Sequence, residues 1–296
     1  MPATLSKKRR RALLIFILPG LILLGVFMIL PFFLSFGLSF TDQRLISRLP
    51  TRFVGFRNYV RLFDDDLFLT SLKNNFVFAG VVVPVQTFLA LCMALIVNQK
   101  LKGVKFFRTS YFMPTVTAMV VVSVVWSFLY NPDGLINKFF EVITFGNWET
   151  VDFLNNPKWA FPCIMFMSIW QGAGFQMLIF LAGLQEIPEN LYEAATIDGA
   201  TTFQKFWNIT LPQLKNTTTF VLIATTILAL RVFSQVKVMT EGGPRNSTYT
   251  VVLHLYNEGF MNQKVGYASA MTVIFFLIVL GLSLAQRWIL SEEREV

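Results

Sequence analysis

Six apolar stretches constrain what this 296-residue chain can fold into more than any other feature. They run roughly over 12–40, 74–98, 109–130, 159–183, 216–236 and 265–290. A helix needs about 20 residues to cross roughly 30 Å of hydrocarbon, and each stretch is of that order. Charge agrees: only 14% of residues are charged, where a soluble domain carries about a quarter. Hydrocarbon offers no partners to exposed backbone amides, so spanning segments of this kind must be helical. The expected fold class is therefore all-α: a polytopic membrane helical bundle with six transmembrane helices, read as a single domain over residues 1–296. The first stretch is too long, and succeeded by too many others, for a cleaved signal peptide. Pro19 and Pro31 within it predict kinks or a break near its outer end.

Basic residues near the spans set orientation. The run "KKRRR" at 7–11 directly precedes the first span and argues for a cytoplasmic N-terminus. Lys100, Lys102, Lys105 and Arg108 mark the 99–108 loop as cytoplasmic, two crossings later. Six crossings return the C-terminal "SEEREV" to the same side. The 41–72 connection disagrees, since it holds Arg44, Arg48, Arg52, Arg57 and Arg61, but Asp64, Asp65 and Asp66 come directly after. Its "FVGFRNYVRLF" mixes apolar and basic residues as a helix lying at the interface does. The second outer connection, 131–158, is polar and opens with the turn "NPDG". The net charge of +8 is dispersed over both faces, which suits a membrane surface and not nucleic acid.

Chemistry within the chain itself is sparse. Cys92 and Cys163 lie inside expected spans, which argues against a disulfide framework. The lone His254 has no cysteine or carboxylate cluster at ligand spacing, so no metal site is expected. There is no G-x-x-x-x-G-K-[ST] phosphate loop and no nucleophile–base pair. No catalytic residues and no cofactor of the chain's own are expected.

One connection is long and specific. Residues 184–215 fall on the cytoplasmic side and read as two short helices with a sharp corner. Pro188 suits a first helical position, and Glu189 sits in the first turn, where exposed amides favour an anion. Leu191, Ala194 and Ala195 share a shallow apolar face. Gly199 is placed to end the helix in a left-handed conformation, and Thr201 or Thr202 can cap the next. That next helix carries Phe203, Phe206 and Trp207 before Leu211-Pro212 leads back to the membrane. The result would be a rigid projection: either a docking surface or an ordinary interfacial helix pair anchored by its aromatics.

The residues Glu193-Ala194-Ala195, Gly199, Ile209 and Leu211-Pro212 form the pattern E-A-A, three residues, G, nine residues, I, one residue, L-P. This resembles the signature loop of permease subunits of binding-protein-dependent ABC importers. The surrounding "GLQEIPENLYEAATIDGA" is similar to the sugar-uptake branch, the relatives of the maltose and glycerol-phosphate permeases. "VGFRNYVRLF", "FFRTSYFMP", "MTEGGPRNST" and "VGYASAM" extend the resemblance over most of the chain.

The resemblance implies that the 188–212 loop, the coupling helix, docks in a groove on a separate ATPase that binds ATP and magnesium. Closure of the ATPase dimer would then switch the permease between inward and outward access. Glu193 would be the charged contact, with Asp198 beside the corner and Ala194, Ala195 and Gly199 permitting close approach. It also implies a second homologous permease, normally a different chain, two ATPase copies, an extracytoplasmic solute-binding protein, a sugar as cargo and a place in the bacterial cytoplasmic membrane.

Polar groups inside spans are costly unless they face a cavity or a partner. On that ground Arg231 and Gln235 in the fifth span, and Trp170, Gln171 and Gln176 in the fourth, are the candidate substrate path. Gln235 is placed on the same helical face as Arg231 by spacing. Aromatic faces and amides suit a polyhydroxylated solute, although the same amides would also serve as helix-packing contacts, and an Arg231 nearer an interface could snorkel. In the resembled maltose-type permeases pore contacts map around Gly172 and Phe175 and along this part of the fifth span; Arg231 departs from that pattern. Ala90 and Ala94, four apart, suit helix packing. A secondary transporter or channel is the competing class, but it would need intramembrane carboxylates for ion coupling, and the centres of the six stretches hold no Asp or Glu. A membrane-embedded scaffold would show no solute dependence.

Overall fold

The computed structural model describes residues 7–47, 50–99 and 102–291, with side chains from Phe16 to Leu290. Arg48, Lys100 and residues 292–296, which bear on orientation, lie outside the described residues, as do the side chains of the 7–11 basic run. Among the described residues the regular structure is helical, joined by turns and irregular connections, with one isolated antiparallel bridge between Thr41 and Phe53.

α1 (Lys7–Leu24) and α2 (Leu30–Leu38) are joined by a π-helical turn at Gly25–Ile29, so that Phe16–Leu38 forms one membrane-length helix. The Leu30 N–H reaches back five residues to the Gly25 carbonyl. This widened turn comes just before Pro31, whose ring would otherwise press on the carbonyl four residues earlier. The expected break thus takes the form of one loosened turn, and Pro19 sits within α1. α3 (Arg57–Phe63) occupies the 41–72 connection, where an interfacial helix was expected. α4 (Asp66–Val97) begins well before residue 74 and runs through Pro84.

The third stretch departs from a continuous span over 109–130. It is two helices, α5 (Val104–Val116) and α6 (Met119–Leu129), meeting at 98°. Pro114 deprives α5 of an amide donor near its end, and Thr117 and Ala118 are extended, at ψ 135° and 133°. The 131–158 connection also differs from a plain loop, since it carries α7 (Leu135–Ile143).

After α8 (Ala160–Gln185) come α9 (Glu189–Ile197), α10 (Thr202–Lys205), a π turn at Phe206–Thr210 and α11 (Leu211–Gln213). The fifth span is again divided, into α12 (Lys215–Leu230) and α13 (Ser234–Met239). α14 (Val251–Tyr256), a π turn at Asn257–Met261 and α15 (Val265–Ser291) complete the order. Among the described residues five helical runs are long and apolar enough to cross a membrane, or six if the bent α5–α6 pair counts as one span.

The chain divides into two compact units. The first comprises residues 1–65 and 255–277. In it Phe40 gathers Phe36, Phe53, Phe56 and Tyr59. The Gly266 N–H donates to the Gln43 carbonyl at 2.9 Å, and a Cβ on Gly266 would stand 2.0 Å from the Thr41 carbonyl oxygen. Arg61 lies 4.5 Å over the Tyr267 ring, whose hydroxyl donates to Asp65 at 2.6 Å. At least one arginine of that basic outer connection is therefore spent on internal structure.

The second unit comprises residues 66–254 and 278–296. Its core is α4 against α8, with Ala90 and Ala94 completely buried among Met177, Phe180, Leu214 and Val221. The small alanines let the two helices approach closely, as their spacing suggested. Gly174 does the same against α5: a Cβ there would sit 2.0 Å from the Tyr111 carbonyl oxygen. Asn75, completely buried, donates to the Leu230 carbonyl and accepts the Val251 N–H at 2.8 Å. One side chain thereby satisfies two backbone groups where helices end inside the protein.

Candidate functional site

Two places concentrate the candidate residues, the connection after α8 and a cavity among α4, α8 and α12.

In the connection, Pro188 stands just outside α9 at ψ 129°, and Glu189 is the first helical residue, one position later than the proline rule suggested. The helix ends in a Schellman pair: Gly199 N–H donates to the Thr196 carbonyl at 3.1 Å and Ala200 N–H to the Ala195 carbonyl at 2.9 Å. Gly199 has φ +74°, the left-handed value that this closure needs. Two residues later a capping box opens the next helix. Thr201 Oγ1 accepts the Gln204 N–H at 3.3 Å and Gln204 Oε1 accepts the Thr201 N–H at 2.8 Å. The corner is thus written into four consecutive local hydrogen bonds. The helix then loosens at Phe206–Thr210 before Pro212, just as the first one does before Pro31.

Side chains brace α9 to the helical turns beyond the corner. The Tyr192 hydroxyl and Thr210 Oγ1 are 2.9 Å apart, and Lys205 Nζ donates to Thr196 Oγ1 at 2.7 Å. Thr196 in turn donates to the Tyr192 carbonyl at 2.6 Å. None of Tyr192, Thr196, Lys205 or Thr210 was singled out from sequence. Their types were visible, but which hydroxyl would meet which depended on the fold.

With that brace in place, Glu193, Ala194, Asp198 and Gly199 are exposed, Ala195, Ile209 and Leu211 are half-buried, and Pro212 is exposed. Nothing lies within 4 Å of a Cβ built on Gly199. Three apolar side chains also face outward: Ile197 at 87%, Phe203 at 72% and Trp207 at 50% exposure. A rigid corner carrying two exposed carboxylates, small residues and unburied apolar groups is built like half of an interface. A cavity of about 580 Å³ opens beside it, between Leu95 of α4 and Gln99 just beyond that helix on one side and Tyr192, Phe203 and Phe206 on the other.

The cavity among the spans has a volume of about 320 Å³. Gln171, Gly172, Arg231 and Gln235 line it, together with Gln86, Ser168 and Thr225. Arg231 caps the end of α12 and Gln235 lies in the first turn of α13 beyond the break, so the two do not share one continuous helical face as their spacing suggested. They are brought to the same cavity by the break instead. Gln235 is buried and donates to Ser168 Oγ at 3.2 Å, whereas the Arg231 side chain is exposed. Gln171 Nε2 reaches the Pro114 carbonyl at 3.5 Å and Thr115 Oγ1 donates to the Gln171 carbonyl at 2.9 Å, tying α8 to the end of α5.

The remaining candidates are placed elsewhere. Gln176 is buried and donates to Thr225 Oγ1, holding α8 to α12 behind the cavity wall. Trp170 lines a second, more apolar cavity of about 370 Å³ with Phe166, Tyr111 and Gly174. Phe175 is 51% exposed and lines neither cavity. Gln86, Ser168 and Thr225 are polar lining residues that sequence reasoning passed over, Gln86 the most legible of them. A buried amide in "VVVPVQTFLA" carries the same cost that singled out Gln171, so the signal was present.

Comparison with known proteins shows which family the whole chain belongs to. The family model described as "Binding-protein-dependent transport system inner membrane component" matches residues 10–294. The chain belongs to that family. It is 37% identical over 270 residues to the trehalose/maltose transport system permease protein MalF of Thermococcus litoralis, covering 90% of each chain. It is 34% identical over 284 residues to the lactose transport system permease protein LacF of Rhizobium radiobacter, covering 95% of this chain and 94% of that one. Among solved structures, a chain of a bacterial ABC transporter involved in import of the acidic polysaccharide alginate matches at a TM-score of 0.83. It is 25% identical, and the match covers 97% of this chain and 98% of that one. The chain is thus a multi-pass permease of the binding-protein-dependent ABC transport family, as the resemblance of its loop implied, and these relatives are named for sugar transport.

Proposed function

We propose that this chain carries a sugar into the cytoplasm as one half of a pore whose energy comes from a separate ATPase docked on residues 188–212. The observation that carries the reading is the hydrogen-bonded corner at Gly199. It holds Glu193 and Ala194 out in solvent on a support that cannot bend without breaking its caps. A part that transmits force between two proteins needs that stiffness. Glu193 makes the charged contact, Asp198 flanks it, and Ala194, Ala195 and Gly199 let the partner's backbone come close. Ile209, Leu211 and Pro212 return the chain to the membrane and anchor the projection.

ATP and magnesium reside on the ATPase, two copies of which act on two permeases; the second permease is a different, homologous chain. The termini and the 184–215 connection lie on the cytoplasmic side. An extracytoplasmic binding protein delivers the solute. The solved alginate transporter has been seen with an alginate pentasaccharide-bound periplasmic protein, which supports a partner of that kind here. The names of the lactose and trehalose/maltose permeases support a sugar as cargo.

Along the path, Gln171, Gln235 and Arg231 offer hydrogen-bond donors to hydroxyl groups, and Gly172 leaves room beside Gln86, whose amide would be 2.5 Å from a Cβ there. Trp170, Phe175 and Gln176 shape the surroundings of the path.

Reconstitution tests this directly. The chain is combined in vesicles with a candidate ATPase, a second permease and a binding protein, and ATP hydrolysis is measured as solute is added. Solute-stimulated hydrolysis with uptake supports the proposal. Solute flux through this chain alone would instead assign it to the secondary transporters or channels.

A further inference from the structure

α7, in the connection between the third and fourth spans, is turned the opposite way from a helix on a soluble protein. At 100° per residue, Leu135, Ile136, Phe139, Phe140, Val142 and Ile143 fall on one side, and Asn137, Lys138 and Glu141 on the other. A water-soluble domain buries the apolar side. Here the buried residue is Asn137, at 4% exposure, while Leu135, Phe139 and Val142 are exposed at 67%, 60% and 74%.

Asn137 also fixes where the helix lies. Its Nδ2 donates to the Asn131 carbonyl at 3.1 Å and the Val151 carbonyl at 2.9 Å. Its Oδ1 accepts from Trp148 Nε1 and the Val151 N–H, both at 3.0 Å. Asn131 is two residues past the end of α6 at Leu129, the last residue of the third span. The helix is therefore pinned by its polar side to the mouth of a membrane-spanning segment; Phe140 stacks on Trp148 at 4.6 Å, and Leu135, Phe139 and Val142 are directed away from the protein. The residue after its last turn repeats the theme. Phe145 is 94% exposed and holds φ +53°, a left-handed position that normally favours glycine. A bare phenylalanine in that conformation makes no contribution in water.

We propose that α7 is a membrane-surface anchor. Leu135, Phe139, Val142 and Phe145 enter the boundary between lipid headgroups and acyl chains, and Lys138 and Glu141 remain at the aqueous side. The occupant is lipid because the face continues an existing lipid boundary: it starts six residues beyond a span and is tethered within two. This inference does not depend on the transported solute or the ATPase.

The test uses the full chain with Cys92→Ser and Cys163→Ala, carrying either Val142→Cys or Lys138→Cys labelled with an environment-sensitive fluorophore. The protein is reconstituted into vesicles of phosphatidylcholine and phosphatidylglycerol. Phe139→Cys serves as a second apolar-face position should Val142→Cys insert poorly. The expected result is a several-fold loss of iodide quenching at 142 relative to 138, with strong quenching at 142 by a lipid spin-labelled near its glycerol backbone. Equal iodide quenching at 142 and 138 would overturn the proposal. Protection from iodide without quenching by the labelled lipid would also overturn it, since protein would then cover the face.

Discussion

The corner after α8 and the cavity beside its middle are carried by the same helix, yet they are built in opposite ways. The corner is local: Gly199, Thr201 and Gln204 meet partners no more than five residues away. The cavity is assembled from α4, α8 and the α12–α13 break, whose contributing residues lie far apart in sequence. Local hydrogen-bond rules therefore describe the first and leave the second open. The contrast also separates the roles. A force-bearing contact gains from rigidity fixed within one segment, whereas a path for solute gains from walls that belong to different helices and can separate.

Substitutions can break this contrast, and the largest effect belongs to the corner. Glu193→Lys and Gly199→Arg are expected to abolish solute-driven transport while membrane insertion and thermal stability stay near those of the parent. A new side chain at 199 meets nothing within the chain; its local cost is a left-handed backbone strain of about 1–2 kcal/mol. Uptake assays paired with melting curves in detergent check this, and unchanged uptake in both variants would remove the corner from the mechanism. In the cavity, Arg231→Ala should lower uptake several-fold and leave ATPase association intact, as read by co-purification.

Stability changes come next. Gly174→Ala would force a Cβ to 2.0 Å from the Tyr111 carbonyl, backbone that cannot swing aside, at a cost of about 1–3 kcal/mol for overpacking. Gly172→Ala meets only the movable Gln86 amide and should melt close to the parent. Asn75→Ala strands the Leu230 carbonyl and the Val251 N–H, costing about 1–3 kcal/mol for unsatisfied buried groups. Thr201→Ala removes one cap, worth about 1 kcal/mol, the smallest of the three destabilising changes; a fall in melting temperature larger than that of Gly174→Ala would contradict the ordering.

Legibility in the sequence divides along the same line. The spans were legible because lipid demands length and apolarity from each one separately. Gly199 and Thr201 were legible because a left-handed closure and a cap are chosen by their immediate neighbours. The bend at Thr117–Ala118 was not, because Pro114 weakens a helix without saying whether it will kink or part; Pro84 lies within an unbroken α4. The break after Arg231 has no proline or glycine to announce it, so Gln235 was assigned to the wrong helical face. α7 was hidden by its polar flanks and the "NPDG" turn, although Leu135, Phe139 and Val142 have helical spacing. The partners of Tyr192 and Asn75 are set by tertiary placement and have no signature in the chain.

The central claim is that residues 188–212 are where this permease meets its ATPase, and cross-linking measures that contact most directly. Ala194→Cys, in the chain lacking Cys92 and Cys163, is combined with the ATPase carrying single cysteines along its permease-facing groove. The account predicts a cross-linked permease–ATPase product whose yield changes when ATP is added and falls sharply with Glu193→Lys. If the thiol of the Ala194→Cys variant stays equally reactive to a water-soluble maleimide with and without the ATPase, and forms no product, the account is contradicted.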